Sequence, residues 1–157
     1  MIGYGVSADA RYLVAPPEDG DGAARAMRAA LANAAVGIEE IDYISAHATS
    51  TDIGDVAETR AVRTVFGERA YDVPLSSFKS QVGHLLGAAG GVEAVMAVQT
   101  IRHGVIAPTL NLDHPGDDCD LDYVAHEARR TEVRTVMKNS FGFGGQNAVL
   151  IFRRYEP

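Results

Sequence analysis

Between His84 and Arg102 the chain carries one charged residue, Glu93. Leu85, Leu86, Val92, Val95, Met96, Val98 and Ile101 leave no polar stripe around it, so the spacing predicts a helix over about 83–103, buried on most sides. Gly87, Ala88, Ala89, Gly90 and Gly91 near its start let another backbone approach closely, at some cost in helix propensity. Such a helix needs cover on both flanks. A chain of 157 residues has the size of one ordinary domain, and one domain of that size is short of material to cover it.

Around that helix, strand and helix patterns alternate. Ile2-Gly3-Tyr4-Gly5-Val6 reads as a buried strand; a chain that opens inside a strand suggests a cut in a longer protein, the plainer reading being a natural terminal strand. Residues 15–20 are turn material. Asp21 is placed to cap a helix to about Ala35, with Met27, Ala30, Leu31 and Ala34 on one face and Gly37 as its stop. Residues 41–46 make a strand. A helix follows from about Asp52 to near Gly67, with Ile53, Val56, Ala57, Ala61 and Val65 on its apolar face. Residues 73–77 form a short strand, 113–122 an acidic loop, and 135–139 and 148–152 two strands joined by a Gly-rich turn. The alternation predicts one α/β domain over 1–157, a mostly parallel mixed sheet packed by helices and closed by a hairpin-like pair.

A net charge of −7 argues against nucleic acid or an anionic membrane surface as partner, since both would repel the average surface. One cysteine, Cys119, permits no internal disulfide, which fits a reducing compartment. No charged-then-apolar leader and no apolar run of membrane-spanning length is present, so the expectation is a cytoplasmic protein.

Three segments hold residues suited to chemistry. In residues 46–58, His47 follows a strand end, where α/β folds place ligand sites. Thr49, Ser50 and Thr51 add hydroxyls, and Asp55 and Glu58 lie one turn apart on the next helix. The plainer reading is that Ser50 or Thr51 caps that helix and His47 is a packed, hydrogen-bonded histidine. In residues 77–90, Lys79 and His84 stand at the entrance to the most apolar helix, with Glu93 its one acid. A histidine at a helix N-terminus has its charged form disfavoured, so His84 is expected to be a neutral donor. Lys79 could equally be a surface lysine. In residues 138–147, Lys-Asn-Ser-Phe-Gly-Phe-Gly-Gly-Gln-Asn, the glycines permit positive φ and close approach of backbone N–H groups to a ligand, or simply a hairpin turn. Neither the full dinucleotide glycine pattern nor a Walker lysine is there.

Together these segments resemble the condensing enzymes of fatty-acid and polyketide synthesis, most closely the β-ketoacyl-acyl-carrier-protein synthases of the synthase II type, over essentially the whole chain. The resemblance implies the C-terminal half of a thiolase-like fold, whose N-terminal half carries the cysteine nucleophile. It implies elongation of acyl chains by decarboxylative condensation with malonyl-acyl-carrier protein. His47 and His84 would donate hydrogen bonds to the malonyl thioester carbonyl, and two histidines fit the elongating branch of the family. Lys79, paired with Glu93, would hold the electrostatics, while Asp55 and Glu58 order the polar surroundings. Thr49 and Thr51 would hydrogen-bond the phosphopantetheine arm, with Phe143 also on the substrate side. Phe141 would be the gating aromatic, its N–H completing an oxyanion hole. No cofactor or metal is implied. The implied partners are acyl-carrier protein, the cysteine-bearing half and, in the intact enzyme, a second copy.

Some positions depart from the family. Ala48 stands where glycine is usual, which would disturb the backbone if that position needs positive φ. Phe78, Val82 and Gln146 replace residues that are more often threonine. Cys119 lies among Asp117, Asp118, Asp120 and Asp122, which disfavour a thiolate, and falls in the wrong half to be the nucleophile. The same loop lacks the spacing and closing Glu of an EF-hand, and His103, His114 and His126 lack metal-ligand spacing. The chain by itself is therefore expected to be inactive. Other readings are a type II polyketide ketosynthase or its chain-length partner, and a stand-alone carrier-protein-binding half-fold. The few basic residues for such docking (Arg60, Arg63, Arg69) weaken the last of these.

Overall fold

The computed structural model describes residues 1–156. Its strands are β1 (Gly3–Ala8), β2 (Tyr43–Ser45), β3 (Leu75–Ser76), β4 (Val105–Ile106), β5 (Arg129–Arg130), β6 (Thr135–Gly142) and β7 (Gln146–Arg153), and its α-helices are α1 (Asp21–Ala34), α2 (Asp52–Phe66), α3 (Lys79–Val82) and α4 (Ala89–His103). Five strands form one sheet in the order β1-β7-β6-β2-β3, and β4 pairs with β5 apart from it.

The α/β class and the mixed sheet are as expected, but the balance within the sheet differs. β1/β7 and β7/β6 are antiparallel over long registers, while β2 pairs in parallel with β6 and β3 over short ones. The Gly-rich turn joins β6 to β7 as a true hairpin, so antiparallel pairing carries most of the ladder. Strand β1 is an edge strand, not a buried one: Tyr4 and Val6 are exposed while Gly3 and Gly5 face inward. A Cβ on Gly5 would meet the Ala26 carbonyl oxygen at 2.1 Å, so only glycine lets α1 lie this close.

Helix α1 packs on that side through Ala23, Ala26, Met27, Ala30 and Leu31. Its cap is Gly20 at φ 65 rather than Asp21, which is the first helical residue, and Ala35 at φ 54 ends it before Gly37 is reached. On α2 the buried face is Ala57, Ala61, Val62 and Phe66 together with Glu58, whereas Ile53 is exposed. These helices, with Ile44, Leu75, Met137 and Ile151 from the sheet, form the larger core cluster. The smaller one lies across the sheet, where Tyr43 and Val136 meet Ala97, Ile101, Ile106 and Val133. Met137 and Val136 thus face opposite layers, as period-two alternation requires.

The expected long helix over 83–103 is broken. Gly83 at φ 77 ends the short α3, residues 84–85 follow without helix, and a 3₁₀ turn (Leu86–Ala88) precedes α4. Gly87 lies in that 3₁₀ turn, while Gly90 and Gly91 are accommodated in the first turn of α4. Burial on most sides is met on one side only within this chain: Ala97 and Ile101 are buried, while Leu86, Val95 and Val98 are 74%, 59% and 46% exposed.

Candidate functional site

Parallel pairing gathers the three segments. Ser45 of β2 sits opposite both Ser76 of β3 and Lys138 of β6. Ala46-His47, Ser77-Phe78-Lys79 and residues 139–142 therefore emerge at the carboxyl ends of adjacent strands, where an α/β sheet opens a crevice.

His47 is the hub. Its ring centroid lies 5.6 Å from that of His84 and 5.7 Å from that of Phe141, both edge-on. Burial, reinforced by the charges of Lys79 and Lys138 and by His84, pushes the His47 imidazole down to about 3, so it is neutral near pH 7. The His47 and Ala48 backbone N–H groups donate to the two oxygens of Glu58 at 2.9 and 2.8 Å, and Asn139 Nδ2 donates to Glu58 at 2.9 Å. Glu58 belongs to α2, so that buried carboxylate ties helix, loop and β6 together.

His84 is not at a helix N-terminus, contrary to the expectation from sequence, because α4 begins later. Its ring is held locally instead: the Leu86 N–H donates to Nδ1 at 3.3 Å, so Nδ1 is an acceptor and Nε2 faces away from that contact. Behind the histidines, Lys79 Nζ lies 2.5 Å from Glu93 Oε1, both side chains almost wholly buried. Lys79 is therefore not a surface lysine.

Asp55 accepts the Ser50 N–H at 3.2 Å. Burial first and the Glu58 charge second push its carboxyl up to about 6. Thr51 is the N-cap position of α2 but makes no side-chain capping bond; its hydroxyl stands 3.5 Å from that of Thr49. Both threonines line a cleft of about 410 Å³ with His47, Glu58, Phe141 and Phe143. Phe143 is 75% exposed at its rim. A wider opening of about 800 Å³ takes in His47, His84, Phe141 and Glu93. The Gly-rich turn has the positive φ its composition allows, at Gly144 and Gly145. Ala48 does not; in its loop the positive φ falls on Ser50.

Cys119 lies apart, in a cleft of about 300 Å³ that neither His47 nor His84 lines, 3.8 Å from the Thr59 hydroxyl. Arg60 and Arg63 pair with Asp118 and Asp120, and Arg69 reaches the Ile41 carbonyl. His103 contacts Gln99 at 3.1 Å. Among the described residues no three His, Cys, Asp or Glu side chains gather as a metal site, and no helix is long and apolar enough to cross a membrane. Sequence reasoning missed the roles of Lys138 and Asn139, both buried. The available signal was a lysine in a strand whose neighbours Val136 and Met137 each face a core layer.

Residues 1–113 match the family model for the β-ketoacyl synthase C-terminal domain. Over 156 residues the chain is 44% identical to 3-oxoacyl-[acyl-carrier-protein] synthase 2 of Staphylococcus aureus (strain COL), covering 99% of this chain but 38% of that protein. It superposes on a β-ketoacyl synthase from Burkholderia phymatum STM815 with TM-score 0.91 and 44% identity, over 99% of this chain and 37% of the other. The ketosynthase complex described as a type II PKS acyl-carrier protein with its ketosynthase bound to the hexaketide gives TM-score 0.96 at 36% identity, over 98% and 38%. The chain thus spans well under half the length of these relatives.

Proposed function

The chain belongs to the β-ketoacyl synthase family, matching its C-terminal domain, and from that premise we propose that it supplies the His47–His84–Lys79 part of a 3-oxoacyl-acyl-carrier-protein synthase. In the reaction proposed, a malonyl thioester on acyl-carrier protein loses CO₂ as the bond to its carboxylate breaks. The electron pair passes into the thioester as an enolate. The enolate carbon then attacks an acyl thioester held on the cysteine of the other half, forming the new C–C bond and releasing the thiolate.

The observation that supports this most is the edge-on pair of histidines, 5.6 Å apart, at the opening that also holds Phe141. The Leu86 N–H engages His84 through Nδ1, and His47 is neutral. Fixed neutral donors aimed at one oxygen stabilise charge that grows there as CO₂ leaves. Thr49 and Thr51 would hold the phosphopantetheine arm in the neighbouring cleft, Phe141 would gate it, and Asp55, Glu58 and Glu93 would order the polar surroundings. No cofactor is called for, since the substrate arrives as a thioester. Acyl-carrier protein, the cysteine-bearing half and a second copy are the proposed partners, and fatty-acid elongation in the cytoplasm is the proposed setting.

Type II polyketide synthesis is the second reading, favoured by the TM-score of 0.96 to a ketosynthase of that kind. The deciding experiment joins this chain to the part of the Staphylococcus aureus relative that it does not cover, and follows CO₂ release from malonyl-acyl-carrier protein. Release that falls about a hundredfold or more in His47→Ala and His84→Ala supports the proposal. Release indifferent to both substitutions sinks it. Carrier proteins from each pathway, tested side by side, separate the two readings.

A further inference from the structure

Lys79 and Glu93 have a third partner. Lys138 Nζ lies 2.6 Å from Glu93 Oε2, while Lys79 Nζ lies 2.5 Å from Oε1, so each carboxylate oxygen faces one ammonium. Side-chain exposures of 6% for Lys79, 4% for Glu93 and 1% for Lys138 place all three out of water. Burial pushes the Lys138 ammonium down and Glu93 draws it back up. A lone buried ammonium costs several kcal/mol, so a second lysine on one carboxylate is not explained by stability. Lys138 is opposite Ser45, two residues before His47, and donates to the Ser140 hydroxyl.

We propose that Lys138 is a positioning residue of the histidine site: with Lys79 it clamps Glu93 and supplies positive charge that adds to burial in disfavouring a charged His47 and favours an anionic thioester oxygen before it. Within this triad two cations stand against one carboxylate where water screens them weakly, and Glu58, which accepts the His47 N–H from the α2 side, offsets part of that charge. The part of this inference that concerns the oxygen rests on the decarboxylating reaction proposed above. The groups that bear on His47 are Lys79 from α3, Lys138 from β6, His84 from the loop after α3, and Asp55 and Glu58 from α2, with Glu93 from α4 between the lysines.

The test reads nitrogen-15 resonances of the lysine Nζ and imidazole groups in the 157-residue chain. In the wild type Lys138 Nζ is expected as ammonium at pH 7. Lys138→Met, and Lys138→Gln as a polar variant able to keep the Glu93 contact, are expected to raise the imidazolium fraction of His47 at pH 5 by about threefold or more, the direction set by loss of a nearby positive charge. Lys79→Met should move it the same way. A folded Lys138 variant with unchanged His47 titration overturns the proposal, since a merely structural lysine would leave it unmoved. A neutral amine at Lys138 in the wild type overturns it without any variant. Should the joined enzyme release no CO₂ while His47 still responds to Lys138, the reaction assignment fails and the positioning role stands.

Discussion

The Glu58 carboxylate accepts the His47 backbone N–H at 2.9 Å, so the residue that fixes the histidine lies on α2 and grips its main chain. The same carboxylate takes the Ala48 N–H and the Asn139 amide. Glu58→Ala would leave three donors without an acceptor and is expected to cost about 3–5 kcal/mol. Glu58→Gln keeps the shape and one acceptor oxygen, and should cost about 1–2 kcal/mol. Urea unfolding at pH 7 measures both. Equal costs would mean that the charge, and not the hydrogen bonds, dominates.

Asp55, one turn earlier on α2, gives a stability signature of the opposite kind. Its carboxyl is raised from 3.8 to about 6, chiefly by burial. The folded state therefore holds the proton more tightly than the unfolded one, and stability declines as pH rises from about 4 through 6. Discounted for its partial exposure, the loss is about 1–2 kcal/mol. Asp55→Asn cannot ionise and still accepts the Ser50 N–H. It should gain about 1 kcal/mol at pH 8 relative to wild type and nothing at pH 4. Urea midpoints at the two pH values decide, and a gain equal at both would remove ionisation as the cause.

For His47 the sign reverses. The imidazole is lowered from 6.5 to about 3, so the unfolded chain binds a proton that the folded site refuses. This contribution is complete above about pH 6.5 and is lost progressively as pH falls toward 3. Through pH 4–6 it opposes the Asp55 effect, which flattens the net profile. Imidazole resonances should show His47 still neutral at pH 5. A midpoint near 6.5 would mean that water reaches the ring and that burial does not govern it.

Much of this site is legible in the sequence. His47 follows a strand, Lys79 precedes an apolar helix whose one acid is Glu93, and all three meet because β2, β3 and β6 lie side by side. The broken start of α4 was less legible, because apolar periodicity runs on through Leu85 and Leu86 while the backbone turns to positive φ at Gly83 and Leu86. The sheet was misjudged toward parallel because β1 alternates buried and exposed residues with glycines on its inner side, and glycine carries no hydropathy signal. Lys138 escaped notice for a different reason. Its partner Glu93 is far away in sequence, and the one local signal, the core-facing Val136 and Met137 just before it, names no partner.

The loop after His47 yields a paired prediction about backbone conformation. Ala48 replaces a usual glycine, yet the positive φ in this loop is at Ser50, at 61 degrees, and Ala48 packs partly buried against the larger core. Ala48→Gly should therefore bring no relief of strain. It should lower stability by about 0.5–1 kcal/mol, through greater freedom of the unfolded chain. Ser50→Gly replaces an exposed residue in left-handed conformation and keeps its N–H for Asp55. Relief of about 1 kcal/mol is partly offset by the entropy of glycine, for a net gain of about 0.5 kcal/mol. Urea midpoints of the two variants should fall on opposite sides of the wild type. A more stable Ala48→Gly would place the strain at Ala48 and refute this account of the loop.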